Sequence, residues 1–168
     1  MRTLAACVLI FVALETSATE PPNPRIDSEE YLRTATRAIE HREARRISEE
    51  EFIRLSRKPG VVVLDARSAR KFDALHVKGA VNLNFADITV DSLNTLLPDK
   101  NATILIYCNN NFADAPDPMP AKLVAAALNL ATYTSLYTYG YRNVYELGPN
   151  LSVKTTRIPF EGTWIDRR

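Results

Sequence analysis

The feature that most constrains the fold is an apolar stretch that ends at a cysteine, Thr103-Ile104-Leu105-Ile106-Tyr107-Cys108. Its β-branched and aromatic side chains, followed by the polar run Asn109-Asn110-Asn111, predict a buried strand of a parallel sheet. Ligands of open α/β sheets bind at the carboxyl ends of the strands, so Cys108 is a candidate nucleophile. The alternative is a small buried residue that closes the strand, since free cysteine is among the most buried residue types.

The rest of the chain alternates between strand and helix patterns. Strands are predicted at residues 61–64, 80–83, 103–107 and 143–147. Helices are predicted at residues 28–44, 48–58, 68–75, 91–97 and from about 121 to 139. Ser48 with Glu51 forms a capping box, and Ser68 is placed to cap the third helix. Strands that alternate with helices predict an α/β fold with a parallel sheet and right-handed crossovers.

The N-terminus has the three parts of a secretory signal peptide. A basic start at Arg2 precedes an apolar run from Leu4 to Leu14, and cleavage is expected after Ala18. We therefore expect a signal peptide at 1–18, a Pro-rich linker at 19–27, an N-terminal helix at 28–44 and the main domain at 45–168. The protein is expected to be periplasmic or secreted and not membrane-bound after the signal is removed. The net charge of +1 does not favour a nucleic-acid partner.

The cysteine count adds to the argument for Cys108. The chain has two cysteines, Cys7 and Cys108, and removal of the signal peptide takes the first. The remaining thiol cannot form an internal disulfide, although export brings it to a compartment where disulfides persist. Such a cysteine is buried, paired between chains, or reactive.

Three stretches of the chain resemble the sequence signatures of the rhodanese-like domain. The first is Val63-Leu64-Asp65-Ala66-Arg67 with Phe72 and His76-Val77-Lys78-Gly79-Ala80-Val81-Asn82. The second is Ile106-Tyr107-Cys108, which resembles the strand before the catalytic cysteine. The third is Gly140-Tyr141-Arg142-Asn143-Val144-Tyr145-Glu146-Leu147, which resembles the last strand of that domain.

This resemblance implies a three-layer fold in which helices flank a five-stranded, mostly parallel sheet. It also implies a sulfurtransferase of the thiosulfate type, which moves sulfane sulfur through a persulfide on Cys108 and needs no metal or cofactor. The substrates would be a small donor such as thiosulfate and a thiol or cyanide acceptor, and a protein partner is also possible. Backbone N–H groups at a helix N-terminus would lower the thiol pKa and hold the anion. The candidate anion-binding residues are Asn109, Asn110, Asn111, Phe112 and Lys122, and the candidate framework residues are Asp65, Arg67 and His76.

The loop after Cys108 departs from the rhodanese pattern. Residues 109–113 carry no positive charge, and Asp114 to about Ala126 looks inserted. This insertion is expected either to fold over Cys108 as a lid or to pack elsewhere as an extra helical turn. Asp114 and Asp117 would raise the thiol pKa, and Lys122 would lower it.

Two other functions stay open at this point. One is a catalytically inactive binding module that uses a tyrosine-rich surface, and the other is a redox protein with a reactive thiol. Tyrosines at helix and strand spacing are also typical of a half-buried core. The tyrosines concerned are Tyr133, Tyr137, Tyr139, Tyr141 and Tyr145.

Overall fold

The computed structural model describes residues 23–165. The predicted signal peptide, residues 1–18, and the first part of the predicted linker lie outside the described residues. The helices are α1 (Ser28–Glu43), α2 (Glu49–Ser56), α3 (Ala69–Ala74), α4 (Val90–Leu96) and α5 (Leu128–Thr138). No helix among residues 23–165 is long and apolar enough to cross a membrane.

The central sheet has five parallel strands, as predicted. They are β1 (Arg46–Ile47), β2 (Val62–Asp65), β4 (Val81–Asn82), β5 (Ile104–Tyr107) and β7 (Val144–Leu147), in the order β1-β7-β5-β2-β4. Strand β5 is central, and its register places Tyr107 opposite Asp65 of β2. The carboxyl ends of β2, β4 and β5 therefore meet at one edge of the sheet.

Helices pack on both faces of this sheet and complete the three-layer α/β fold. Alternate residues of β5 belong to different cores because successive strand residues point to opposite faces. Ile104 and Ile106 pack with residues of α4 and α5, whereas Leu105 and Tyr107 pack with α2 and the C-terminal segment.

Two pairs of short strands attach the segment after β7 to the rest of the domain. Strand β9 (Phe160–Glu161) is antiparallel to β3 (His76–Val77), and β8 (Leu151–Ser152) is parallel to β6 (Phe112–Ala113). Gly162 has φ +129°, and a Cβ there would lie 2.5 Å from the carbonyl oxygen of Ala74. Glycine is needed for this close approach, which fixes the C-terminal segment against α3.

Helix α5 begins at Leu128, so the prediction that it begins near Ala121 is wrong. Residues 114–127 are irregular except for a 3₁₀ turn at Val124–Ala126. The N–H of Lys122 donates to Asn110 Oδ1 at 3.0 Å, and the carbonyls of Pro120 and Lys122 accept from the side chains of Asn109 and Asn110. These backbone groups bond to asparagine side chains instead of to a helix.

Helix α1 is less solvated than its charged sequence suggests. His41 is half-buried against Tyr133, and Arg42 pairs with the buried Glu146. Tyr133 and Tyr141 are fully buried, and the other three tyrosines of the candidate surface are partly buried. The interpretation of these tyrosines as core residues is confirmed.

Candidate active site around Cys108

Cys108 lies directly after β5, where the carboxyl end of the central strand meets the end of β2. Its side chain is buried, with 1% of the residue exposed. The N–H of Cys108 donates to Asn111 Oδ1 at 2.9 Å, which turns the chain sharply into a 3₁₀ turn at Asn109–Asn111. The position of the sulfur is therefore fixed by the strand on one side and the turn on the other.

Three backbone N–H groups near Cys108 act to lower the pKa of its thiol. They belong to Asn110 in the turn and to Leu128 and Asn129 at the start of α5. The inserted segment thus does not displace the helix from the cysteine, because α5 still begins over the sulfur. Donors and a helix N-terminus stabilise a negative charge at this position.

The thiol pKa is nevertheless raised, and this corrects the expectation that the site lowers it. Burial disfavours the thiolate and is the largest cause, and the carboxylate of Glu146 acts in the same direction. The three N–H donors oppose burial without overcoming it. We expected the acidic residues of the insertion to raise the thiol pKa, but the carboxylate that does so is Glu146 of β7. Asp114 of the insertion instead accepts a hydrogen bond from the Ser152 hydroxyl at 2.6 Å.

The three asparagines after Cys108 hold the surrounding chain by their side chains. Asn109 Nδ2 donates to the carbonyl of Pro120, and the Asn110 amide bonds both the N–H and the carbonyl of Lys122. Asn111 Nδ2 donates to the carbonyl of Leu147 at 2.7 Å. Hydrogen bonds from the turn therefore hold the inserted segment next to the cysteine.

Two of the predicted anion-binding residues have structural roles instead. Phe112 is buried and packs edge-on against Tyr107, and its N–H bonds the carbonyl of Asn109. The N–H of Asn111 bonds the carbonyl of Cys108 at 3.1 Å and also points to the Cys108 side chain as part of a capping box, and the Asn111 side chain is buried. The Phe112 N–H is used within the turn, so the expected cradle from this stretch is reduced to the N–H groups of Asn110 and Asn111.

A cavity of about 370 Å³ lies at the carboxyl edge of the sheet, and its lining includes neighbours of Cys108 but not Cys108 itself. Asn109 and Leu128, which flank the Cys108 sulfur, contribute to its wall. Lys122, a predicted anion-binding residue, lines it together with Lys71 of α3. The other lining residues are Ala66, Arg67, Ser68, Asn84, Phe85, Ala86 and Pro120.

Asp65 and Arg67 form a buried network below this cavity. The Arg67 guanidinium donates to both carboxylate oxygens of Asp65, and Tyr107 Oη donates to Asp65 Oδ2 at 2.5 Å. Arg67 Nη1 also donates to the carbonyl of Pro118 at 3.1 Å. Arg67 therefore connects the strand framework to the inserted segment.

His76, the third candidate framework residue, lies further from the cavity. Its ring stacks on Phe72 with centroids 3.8 Å apart, and Nδ1 donates to the Phe72 carbonyl at 2.8 Å. These contacts hold β3 against the end of α3.

Sequence reasoning did not identify Leu128, Asn129, Glu146 or Lys71 as site residues. Leu128 and Asn129 act through backbone N–H groups, which no side-chain pattern reveals, and the expected helix start was too early. Asn129 carries one usable signal in the sequence, because it is a polar residue between Leu128 and Leu130 in an otherwise apolar run. No group of three or more potential metal ligands occurs among residues 23–165.

Comparisons with known proteins agree with this fold. The rhodanese-like domain family matches residues 48–147. Thiosulfate sulfurtransferase PspE of Escherichia coli K12 is 35% identical over 46 residues, which cover 27% of this chain and 43% of PspE. The matched region thus spans less than half the length of that relative.

Solved structures show the same architecture. The rhodanese-like domain of the Anabaena protein Alr3790 has a TM-score of 0.54 at 21% identity, covering 74% of this chain and 83% of that one. The BH2092 protein of Bacillus halodurans has a TM-score of 0.50 at 21% identity, covering 82% and 88%. The sequence match over residues 48–147 and the shared five-stranded parallel sheet place this chain in the rhodanese-like domain family.

Proposed function

We propose that the protein is a sulfurtransferase in which Cys108 carries sulfane sulfur as a persulfide. The observation that carries this proposal is the position of Cys108 at the carboxyl end of β5, where the backbone N–H groups of Asn110, Leu128 and Asn129 favour its thiolate. Such donors stabilise the thiolate and the anionic persulfide that follows it. The partial match to the sulfurtransferase PspE supports the same reaction class.

The proposed reaction has two displacement steps. The Cys108 thiolate attacks the outer sulfur of thiosulfate, the S–S bond of the donor breaks, and sulfite leaves with the bonding electron pair. A thiolate acceptor then attacks the outer sulfur of the persulfide, and Cys108 leaves again as the thiolate. Sulfane sulfur is transferred without any external oxidant or reductant.

Because the thiol pKa is raised, Cys108 must lose its proton before it can attack thiosulfate. At neutral pH the buried thiol is protonated, so reaction with the donor needs loss of the S–H proton. The three N–H donors are in place before the charge forms and offset part of the desolvation cost. We expect the reaction to become faster as the pH rises towards the thiol pKa.

Sulfite release under single-turnover conditions tests this proposal. Without an acceptor, the reduced protein mixed with thiosulfate should release sulfite in an amount equal to the amount of Cys108. Cys108→Ser should release none. Equal sulfite release from the two proteins, or none from a reduced and folded wild type, would reject the transfer mechanism.

The alternative functions have less support. A redox thiol is usually acidic and accessible, whereas Cys108 is buried and its pKa is raised. The tyrosines that suggested a binding surface are buried or partly buried.

We also propose that the protein is exported, with cleavage after Ala18. The support is the apolar run Leu4–Leu14 between a basic start and a small-residue end. Mass spectrometry of protein recovered from the producing cell should give an N-terminus at Thr19. An N-terminus at Met1 would contradict export.

A further inference from the structure

We propose that two copies of this chain pair through an apolar face that helix α1 forms with the second half of the inserted segment. This apolar face consists of the exposed side chains Tyr31, Leu32, Leu123 and Val124 and of the groove between them. The pairing does not depend on the chemistry of Cys108. It gives a role to the part of the insertion after Lys122, which the candidate active site does not use.

The centre of the apolar face is a groove of about 260 Å³ between α1 and the start of α5. Tyr31, Ala35 and Ile39 of α1 form one wall, because residues four positions apart lie on the same side of a helix. The rest of the lining is mostly alanine and consists of Ala125, Ala126, Ala127, Leu130, Ala131 and Thr134. Such small side chains leave room for a larger apolar side chain that enters from outside.

Leu123 and Val124 project beside this groove. They directly precede its alanine wall, and 83% of Leu123 and 86% of Val124 are exposed. The N–H of Ala126 donates to the carbonyl of Leu123 at 2.8 Å, which closes a 3₁₀ turn under the two side chains. Because the turn already fixes their backbone, these side chains lose little conformational freedom when they are buried.

The wall of α1 also carries exposed apolar side chains. Tyr31 is 63% exposed and Leu32 is 65% exposed. Leu32 lies seven positions before Ile39, so both lie on the same side of α1. Eight large apolar side chains are exposed among residues 23–165, and four of them belong to this face. An exposed apolar patch of this kind is typical of an interaction site.

A second copy fits the apolar face because the face is complementary to itself. It carries a projection, Leu123 and Val124, next to a groove lined by small residues. A dimer with two-fold symmetry uses the same surface of both copies, so the projection of each copy enters the groove of the other. One rotation therefore buries both projections and closes the assembly.

The size of the face agrees with a weak dimer. At about 100 Å² for each large apolar side chain, two copies bury about 800 Å² from these side chains alone. The groove linings bring this to about 1,000 Å², the lower limit of a specific interface. A membrane surface fits less well, since Glu29 and Glu30 directly precede Tyr31, whereas helices that lie on membranes carry basic residues beside their apolar side.

Sedimentation velocity of the exported protein tests the pairing. In reducing buffer, which excludes a disulfide between two Cys108 thiols, the protein should be a monomer at about 1 μM and mostly a dimer at about 0.5 mM, as mass action requires for a weak interface. A protein that is still a monomer at the higher concentration would overturn the proposal. If that monomer binds phosphatidylcholine vesicles, the face belongs to a lipid surface instead.

Two double variants locate the interface. Leu123→Ser combined with Val124→Ser should raise the dissociation constant of the dimer at least about tenfold. Both side chains are largely exposed, so the variant should keep the wild-type circular dichroism spectrum. Val90→Ser combined with Ile165→Ser changes two exposed apolar residues elsewhere and should leave the dissociation constant unchanged. Equal dissociation constants in the two double variants would contradict the proposed face.

Disulfide capture tests the arrangement of the two copies. Leu123→Cys and Ala35→Cys are made in separate chains that also carry Cys108→Ser, and the two chains are mixed and oxidised. The disulfide between Cys at position 123 of one chain and Cys at position 35 of the other should form faster than either disulfide between identical chains. Faster capture between identical chains would reject the insertion of each projection into the groove of the other copy.

Discussion

The Arg42 guanidinium of α1 holds the carboxylate of Glu146 in β7 by two hydrogen bonds, one of them 2.7 Å from Nη2 to Oε1. Both side chains are largely buried. The same carboxylate raises the pKa of the Cys108 thiol. Helix α1 lies before the region that matches the family. It therefore supplies the positive charge that pairs with Glu146, the carboxylate that raises the Cys108 pKa.

Removal of Arg42 should strongly destabilise the protein. Arg42→Ala leaves the Glu146 carboxylate buried without its partner, and the expected loss is about 3–5 kcal/mol of unfolding free energy. Arg33→Ala is the matched control, because Arg33 pairs with Glu29 and Glu30 on the exposed part of the same helix and should cost less than about 1 kcal/mol. Urea unfolding measures both, and equal losses would contradict a special role for the buried pair.

Neutralising Glu146 should lower the pKa of Cys108. Glu146→Gln removes the negative charge that disfavours the thiolate but keeps an oxygen for Arg42. The rate of alkylation plotted against pH should shift to lower pH than in the wild type. Glu161→Gln, which changes an exposed carboxylate that pairs with Lys78, should leave the curve in place. Overlap of the Glu146→Gln and wild-type curves would show that Glu146 does not act on the sulfur.

The Asn110 side chain should limit access to the thiol. Asn110→Ala removes two hydrogen bonds that hold Lys122 beside the site, and each is worth about 0.5–1.5 kcal/mol. At fixed pH, Cys108 in Asn110→Ala should be alkylated about tenfold faster than in the wild type. Asn143→Ala, which removes an exposed bond to the Asn101 carbonyl, should not change the rate. An unchanged rate in Asn110→Ala would mean that the inserted segment does not control access.

His41 should make stability depend on pH. Its Nε2 accepts from Arg45 Nε at 3.0 Å, so the neutral ring carries its proton on Nδ1 and donates to Tyr133 Oη at 2.8 Å. Burial lowers the pKa of His41, and the charges of Arg45 and Arg142 act in the same direction.

A lowered pKa in the folded state favours the neutral ring. This contribution to stability is present above the unfolded pKa of about 6.5 and is lost as the pH falls through the lower, folded value. Urea unfolding of wild type should show a larger loss of stability between neutral and acidic pH than that of His41→Gln. If the free energy of unfolding falls equally with pH in the two proteins, then His41 has the same pKa in the folded and the unfolded state, which would contradict the prediction.

The fold could be predicted from sequence because its central strands carry the strongest local patterns. Val61–Leu64 and Thr103–Tyr107 are apolar enough to identify buried strands, and Ser48 accepts from the N–H of Glu51 as its capping box predicts. The edge strand β1 has two residues, one of them charged, which is too short for a periodic pattern. Ser68 precedes α3 as expected, but its side chain makes no capping hydrogen bond.

The site was less predictable because its main contacts are not local. Strand order places Cys108 at the carboxyl edge of the sheet, and the short separation in sequence keeps the start of the inserted segment near it. The N–H groups of Leu128 and Asn129 reach the sulfur only through the tertiary position of α5. The pKa direction depends on burial and on Glu146, which lies 38 positions away in sequence and reaches the site through the pairing of β5 with β7.

Intact-mass analysis of the reduced protein after thiosulfate treatment tests the central claim most directly. The wild type should gain the mass of one sulfur atom, peptide mapping should place it on Cys108, and addition of a thiol acceptor should remove it. Cys108→Ser should gain nothing. A wild-type protein whose Cys108 is alkylated in the native state but gains no sulfur from thiosulfate or from an organic persulfide would contradict the claim that Cys108 carries sulfane sulfur.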